Sequence, residues 1–349
     1  MARSLSLSKG REGVSENRRG AHWAPVLPGE SMRIVFMGTP ELSRTVLEAL
    51  LAAGHEIVLA ITQPDREKGR GKALQMSPVK ELALERGIPV YQPEKIRREE
   101  STSWLEAFFR EKPADIGVVA AFGQILPQRV LDMPRLGCLN VHTSLLPKYR
   151  GAAPIQQAIL AGEKETGVTI MQMDAGLDTG DILLQRSLPI EERETGGSLT
   201  EKLAALGGEL LCDALLRLEE GQLIPVPQMG ESSYAPQIRK EQGLIDWNRP
   251  AEEIERQIRA FDPWPGSYTF CQGKRMILKS ARLLPEERPK EAKPGCVLRA
   301  GQDCLAVACG RGVLRLERLK PEGKKEMEAA AYLRGCALSA GDSMGESRE

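Results

Sequence analysis

The stretch Arg33–Gly54, RIVFMGTPELSRTVLEALLAAG, decides the fold class. Arg33 to Met37 is a short apolar run that stops at Gly38-Thr39-Pro40, which reads as a buried strand entering a tight turn. Leu42, Val46, Leu47, Leu50 and Leu51 then recur at the spacing of one helix face, so Glu41 to Ala53 is expected to be helical, with Gly54 as its C-cap. Working outward, Glu56 to Thr62 (EIVLAIT) is a second strand, and Ser77 to Arg86 a helix with Gly87 behind it. Pro89-Val90-Tyr91 begins an extended piece, Ser103 to Arg110 is helical, and Asp115 to Ala121 and Cys138 to His142 are apolar strands. Strands alternating with helices predict an α/β fold with a parallel sheet. Ligands of such sheets sit at the carboxyl ends of the strands. The turn after Phe36, the loop after Thr62, Phe122-Gly123 and Asn140 to Arg150 should therefore converge on one side.

The pattern changes after residue 200. Leu199 to Glu219 reads as a long helix, and Pro225, Pro227 and Pro236 mark a linker. Beyond Phe261, short strands separated by turn residues suggest a small β-barrel. The expected layout is a disordered leader or over-extended start at 1–31, a catalytic domain at 32–220, a linker at 221–240, a barrel domain at 241–335 and a disordered tail at 336–349. Composition fits a globular chain: of 349 residues, 41% are hydrophobic and 28% charged, which excludes wholesale disorder. No apolar run is long enough for a membrane span, and the N-terminus has no secretory signal. Seven scattered cysteines without a C-x-x-C read as free thiols in a reducing compartment, and three histidines make a Cys/His zinc site a poor expectation.

Three features carry possible chemistry. Asn140-Val141-His142 places an amide and an imidazole two apart on a strand, so both face one side. Asn supplies an N–H for an oxyanion, and His a proton donor or acceptor near neutral pH. The competing reading is a turn-capping Asn beside a satisfied core His. Asp174 to Asp181 (DAGLDTGD) lacks the EF-hand spacing. It is either a loop delivering a carboxylate such as Asp178 to His142, where it would orient a proton carrier, or a turn of solvated aspartates. Asp65 to Lys80 holds five basic and two acidic residues, with Gly69 and Gly71 among them. It suits a phosphate backbone, or else is a solvated loop. No G-x-G-x-x-G and no Walker sequence occurs, which disfavours a nicotinamide enzyme.

Phe36 to Pro40, Thr62 to Arg66, Gly69-Arg70-Gly71-Lys72, Asn140 to Pro147, Arg150 to Gln156 and Gly167 to Asp181 together resemble the methionyl-tRNA formyltransferase family of the bacterial type, from Met32 to about Tyr332. The Ser144 to Pro147 and Gly176 to Asp181 stretches are shared with other folate-dependent formyltransferases. The Gly69 to Lys72 loop and Phe261-Asp262-Pro263-Trp264-Pro265 narrow the likeness to the tRNA enzymes. The resemblance implies a Rossmann-like formyltransferase domain followed by an OB-like barrel, and formyl transfer from 10-formyltetrahydrofolate to the α-amine of methionine on initiator methionyl-tRNA. It implies Asn140, His142 and Asp178 as the catalytic set. It assigns Ser144, Leu145, Leu146 and Pro147 to folate, and Arg66, Lys68, Gly69, Arg70 and Lys72 to tRNA. It also implies no metal, a cytoplasmic location and a monomer. The alternatives are a formyltransferase or hydrolase of the same donor acting on a small amine, and an RNA-binding module on a degenerate scaffold.

Charge gives a further expectation. Lys+Arg and Asp+Glu both number 48, which alone argues against nucleic acid. Lys274 to Lys325, however, holds fourteen basic and six acidic residues. Neutrality is thus an average over a basic C-terminal part and a more acidic remainder, and it leaves an RNA partner open.

Overall fold

The computed structural model describes residues 31–68, 73–301 and 304–345. All but the last residue of the expected leader lies outside them, as do Gly69, Arg70 and Lys72 of the basic loop.

The first unit is built from β1 (Arg33–Gly38), α1 (Glu41–Ala52), β2 (Glu56–Ile61), α2 (Pro78–Glu85), β3 (Val90–Tyr91), α3 (Glu99–Glu111), β4 (Ile116–Ala120), β5 (Cys138–His142), α4 (Pro154–Ala161), β6 (Glu165–Gln172), β7 (Ile182–Pro189) and α5 (Gly196–Glu219). The sheet order is β7-β6-β5-β4-β1-β2-β3. The five strands from β5 to β3 are parallel, as the alternating pattern predicts. The sheet is not wholly parallel, because β6 and β7 form an antiparallel hairpin added to β5. A crossover helix is needed only between parallel neighbours, and one short loop joins these two strands.

One face of the sheet packs its apolar side chains, including Ile34, Phe36, Leu139 and Val141, against α1 and α5. Gly207 makes that approach possible, since a Cβ there would stand 2.8 Å from Val141 Cγ1. The opposite face buries Val35, Met37, Val119 and Cys138 with Leu105 of α3. The turn at Gly38 is equally tight: an added Cβ would meet Ser43 Cβ at 2.6 Å and Ala120 O at 2.9 Å. Ser43 donates from Oγ to Ala120 O at 2.6 Å and receives Thr39 N–H, tying β1, α1 and β4 together. α5 begins at Gly196 rather than near Leu199, because Thr195 and Ser198 form a capping box that overrides two glycines of low helix propensity.

The second unit holds α6 (Ala251–Ala260), β8 (Ser267–Cys271), β9 (Lys274–Leu284), β10 (Val297–Gly301), β11 (Cys304–Ala308) and β12 (Val313–Pro321). These strands are antiparallel in the order β8-β9-β12-β11-β10. Residues 336–345, read from the sequence as part of a tail, run back to both edge strands. Met344 bridges Cys271 at the end of β8, and Ser343 bridges Cys296 just before β10. Gly345 N–H donates to Phe270 O and Met344 N–H to Gly295 O. These contacts cover one end of each edge strand, which otherwise would offer unpaired backbone groups there. Their core includes Ile254, Ile258, Val297, Leu305, Leu314 and Met344.

The two units meet along α4, α5 and α6. Gly197 N–H donates to Asp262 O, Arg259 donates to Glu194 O, and Arg256 donates to Leu160 O. Among the described residues no helix is long and apolar enough to cross a membrane. The seven cysteines are all free, three of them buried. Burial pushes the Cys138 and Cys309 thiols up to about 12.

Candidate active site

The expected convergence occurs at the carboxyl ends of the parallel strands. Thr39 donates to Phe122 O, and Gln63 donates both to Phe122 O from its side chain and to Thr39 Oγ1 from its backbone. Sharp chain reversals cluster on the same side. Three of the four described non-glycine residues with positive φ are Ala121 (44°), Tyr149 (60°) and Asp178 (50°), all in loops around β4 and β5. Such backbone is costly and gathers where a site requires it.

Asn140 and His142 lie on one face of β5, as the strand period dictates, and both are buried. Asp178 reaches them from a direction the parallel-sheet picture does not anticipate. The loop between β6 and β7 leaves the sheet beside Cys138, where Met173 N–H donates to Cys138 O, and folds back over the strand. Asp178 Oδ1 accepts from Asn140 Nδ2 at 3.3 Å, and Oδ2 accepts from Gly151 N–H at 2.8 Å. His142 Nδ1 stands 3.7 Å from Asp178 Oδ2. The other ring nitrogen, Nε2, is 3.0 Å from Tyr149 O. A carbonyl only accepts, so Nε2 carries the proton, and Nδ1 is the nitrogen left to take or give one beside Asp178.

Of the folate-assigned loop, Ser144 and Leu146 are buried and hold the loop together. Ser144 Oγ donates to Lys148 O, Leu146 N–H donates to Thr169 Oγ1, and Gln185 donates to Leu146 O. Leu145 and Pro147 keep partial exposure. The adjoining Tyr149 hydroxyl donates to Glu163 at 2.8 Å, and burial, with Glu163 adding to it, pushes that phenol well above its usual range. Asp174 spans its own turn, accepting from Gly176 N–H and Thr179 Oγ1. Among the described residues no group of three or more His, Cys, Asp and Glu side chains could hold a metal ion.

The basic segment departs from β2, three places along the sheet from β5. Arg66–Lys68 pairs with Ala73–Gln75 as a short hairpin, and Arg66 is exposed. Its base is clamped: Lys80 Nζ bonds Asp65 Oδ2 at 2.6 Å, and Gln92 donates to Asp65 Oδ1 at 2.8 Å and to Gln63 O at 2.9 Å. The Lys80 ammonium, with Gln92 beside it, holds the Asp65 carboxyl below the ordinary carboxylate range. On the barrel, part of the positive excess is matched locally, Arg282 by Glu317 and Arg318 by Glu326 and Glu328.

One residue at the site, Gln228, escapes the sequence reading, and Arg150, named there only as part of a loop, gains a partner in it. Arg150 Nη2 and Nε donate to Gln228 Oε1 at 2.7 and 3.1 Å, and Gln228 Nε2 donates to Asp178 O and Gly180 O, both at 2.8 Å. Gln228 sits in the presumed linker, where only its pairing in space marks it. No periodicity could have found it.

A carboxylate, an imidazole and an amide converge on one strand end, an arrangement chemically suited to acyl-group transfer. The chain belongs to the formyl transferase family: residues 32–215 match the formyl transferase domain, and residues 237–337 match the formyl transferase C-terminal domain. Within it, curated relatives are methionyl-tRNA formyltransferases. That of Thiobacillus denitrificans is 49% identical over 315 residues, covering 90% of this chain and 100% of the relative. That of Agathobacter rectalis is 47% identical over 311 residues, covering 89% and 98%. A solved structure of WlaRD, a sugar 3N-formyl transferase in the presence of dTDP and 5-N-formyl-THF, shares the fold with a TM-score of 0.59 at 20% identity, over 85% of this chain and 100% of that one. HypX from Aquifex aeolicus in complex with tetrahydrofolic acid superposes with a TM-score of 0.59 at 20% identity, over 87% of this chain and 47% of that one.

Proposed function

We infer that the protein transfers the formyl group of 10-formyltetrahydrofolate to the α-amine of methionine on initiator methionyl-tRNA, in the cytoplasm and as a monomer. The observation that carries this is the near full-length likeness to methionyl-tRNA formyltransferases, together with the Asn140–Asp178–His142 arrangement. The folate is a co-substrate that supplies the activated formyl carbon. In support, Leu145 and Pro147 keep partial exposure and follow closely in sequence on Asn140 and His142, a donor set suited to a carbonyl that gains negative charge.

Each residue has a role that follows from its partners. Asn140 gives one N–H to Asp178, and its second N–H is available for the oxygen that becomes anionic as the amine adds to the formyl carbon. His142 keeps its Nε2 proton on Tyr149 O, so Nδ1 accepts the proton shed by the attacking amine and returns it to the departing nitrogen. Asp178 faces that nitrogen and steadies the imidazolium while the proton is held. No net proton change is required of the protein over a cycle. The tRNA is assigned to Arg66, Lys68, Gly69, Arg70 and Lys72 and to the barrel, both on the strength of their charge.

The test is a formylation assay on initiator and elongator methionyl-tRNA side by side, with His142→Ala as control. The expected result is rapid transfer to the initiator species alone, lost in the variant, which keeps the native circular dichroism. Equal transfer to both tRNAs, or to a free amine, would move the assignment to another acceptor.

A further inference from the structure

We propose that Gln228 and Ser233, on the segment joining the two units, are positioning residues of the active site, fixing the two groups between which His142 works. The proposal rests on the catalytic reading of His142 and Asp178 above.

The segment is bound on both sides of the site. Ile182 and Val226 exchange backbone hydrogen bonds at 2.8 and 2.9 Å, and Tyr234–Ala235 pairs in parallel with Arg150–Gly151. Between these anchors Gln228 is partly buried, Ser233 is exposed with its Oγ against Tyr149 N–H, and Met229 is 82% exposed. Gln228 uses both ends of its amide. Its nitrogen donates to the carbonyls of Asp178 and Gly180, and its oxygen is held by the Arg150 guanidinium. Those carbonyls belong to a loop whose shape needs outside support. Asp178 has φ of 50°, and Gly180 packs so closely on Gln172 that no side chain fits. An Asp tolerates the left-handed region but does not select it. The two bonds from Gln228 help hold the carboxylate where it meets Nδ1.

Ser233 acts on the other nitrogen. Its Oγ accepts Tyr149 N–H at 2.8 Å, and its carbonyl accepts Arg150 N–H at 2.8 Å. Tyr149 is itself in the left-handed region, and its carbonyl is the group that receives His142 Nε2–H. Ser233 therefore steadies the peptide that sets the imidazole tautomer, and Gln228 steadies the carboxylate that the other nitrogen faces. Arg150 is common to both, bonding Gln228 through its guanidinium and Ser233 through its backbone.

The experiment measures kcat, both KM values and the thermal midpoint for Gln228→Glu, Ser233→Ala and Ser233→Thr. Gln228→Glu keeps an acceptor for Arg150 and removes the donor to the two carbonyls. A displaced catalytic group costs about ten- to hundredfold in kcat, and that loss is expected for Gln228→Glu and Ser233→Ala with both KM values nearly unchanged. Ser233→Thr, which keeps the hydroxyl, should recover most of the rate that Ser233→Ala loses. Because Gln228 acts through Asp178, adding Gln228→Glu to Asp178→Asn should cost little more than Asp178→Asn alone. Unchanged kcat, or a loss that adds in full to that of Asp178→Asn, overturns the proposal. So does a fall in rate that only tracks a fall in thermal midpoint. If Gln228→Glu does not fold, the Ser233 pair decides. His142→Ala in parallel separates the two readings: if it is inactive while Gln228→Glu turns over normally, only the positioning role fails. If it turns over normally, the catalytic reading fails and takes the proposal with it.

Discussion

Asp178→Asn is the most informative single change, because the structure removes the usual confounding effects. Asn occupies the left-handed region as readily as Asp, so the backbone at φ 50° is not disturbed. The side chain keeps its size and stays largely buried, 13% exposed in the native protein. What changes is hydrogen bonding. Both carboxylate oxygens act as acceptors, one from Asn140 Nδ2 and the other from Gly151 N–H. An amide has a single accepting atom, so either orientation sets an N–H against an N–H. If the amide oxygen stays on Gly151, Asn140 loses the partner that aims it. If it turns to Asn140, Gly151 N–H is orphaned and an NH₂ faces His142 Nδ1. Each lost charge-assisted bond is worth about 1.5–3 kcal/mol. The charge opposite the imidazolium disappears as well. One to two such losses in the transition state correspond to roughly 10–10⁴ in kcat, at about 1.4 kcal/mol per tenfold. The assay is single-turnover formyl transfer with saturating donor and charged tRNA, with the KM of each substrate measured separately. A variant within about threefold of the native kcat would refute the reasoning, since the arithmetic gives no route to so small an effect.

The remaining predictions concern the basic segment after β2 and stability. Arg70→Ala should weaken binding of charged tRNA and flatten its salt dependence in a filter-binding titration, because one fewer phosphate partner releases fewer counterions. Lys80→Met should destabilise the fold at neutral pH, and less so in acid. The Asp65 pKa is depressed by Lys80 in the folded state, so that stabilisation is complete above the ordinary carboxylate value and is lost as pH falls through the depressed one. Denaturant midpoints of both proteins across that range should draw together on the acid side. Cys138 and Cys309, buried and pushed up to about 12, should resist a thiol reagent in the native protein and react promptly in denaturant.

Much of this molecule is legible in its residues. The run Arg33–Met37, the helix after Pro40 and the strand Cys138–His142 have the expected type and nearly the expected bounds. Their hydrophobic periods are local and burial enforces them. Thr195, two glycines and Ser198 conceal a helix start, because a capping box is a side-chain geometry and glycine argues the other way. The β6–β7 hairpin, two antiparallel strands absent from the sequence reading, extends the parallel sheet in a direction that period and composition do not encode.

The sequence by itself determined the class of fold, the strand that carries Asn140 and His142, and the residue types available for acyl-group chemistry, since a two-residue period puts both side chains on one face without help from elsewhere. Only the tertiary structure decided that the loop carrying Asp178 folds over the strand to meet the imidazole, rather than staying a solvated turn, and which imidazole nitrogen faces a backbone carbonyl. It also set Gln228 of a proline-rich connection against the Asp178 carbonyl, and brought residues 343–345 back to the ends of β8 and β10. Apart from the His142–Tyr149 bond, which spans seven residues, each of these is a contact between segments far apart in the chain. No local pattern records such a contact, because the partners share nothing until the sheet has assembled.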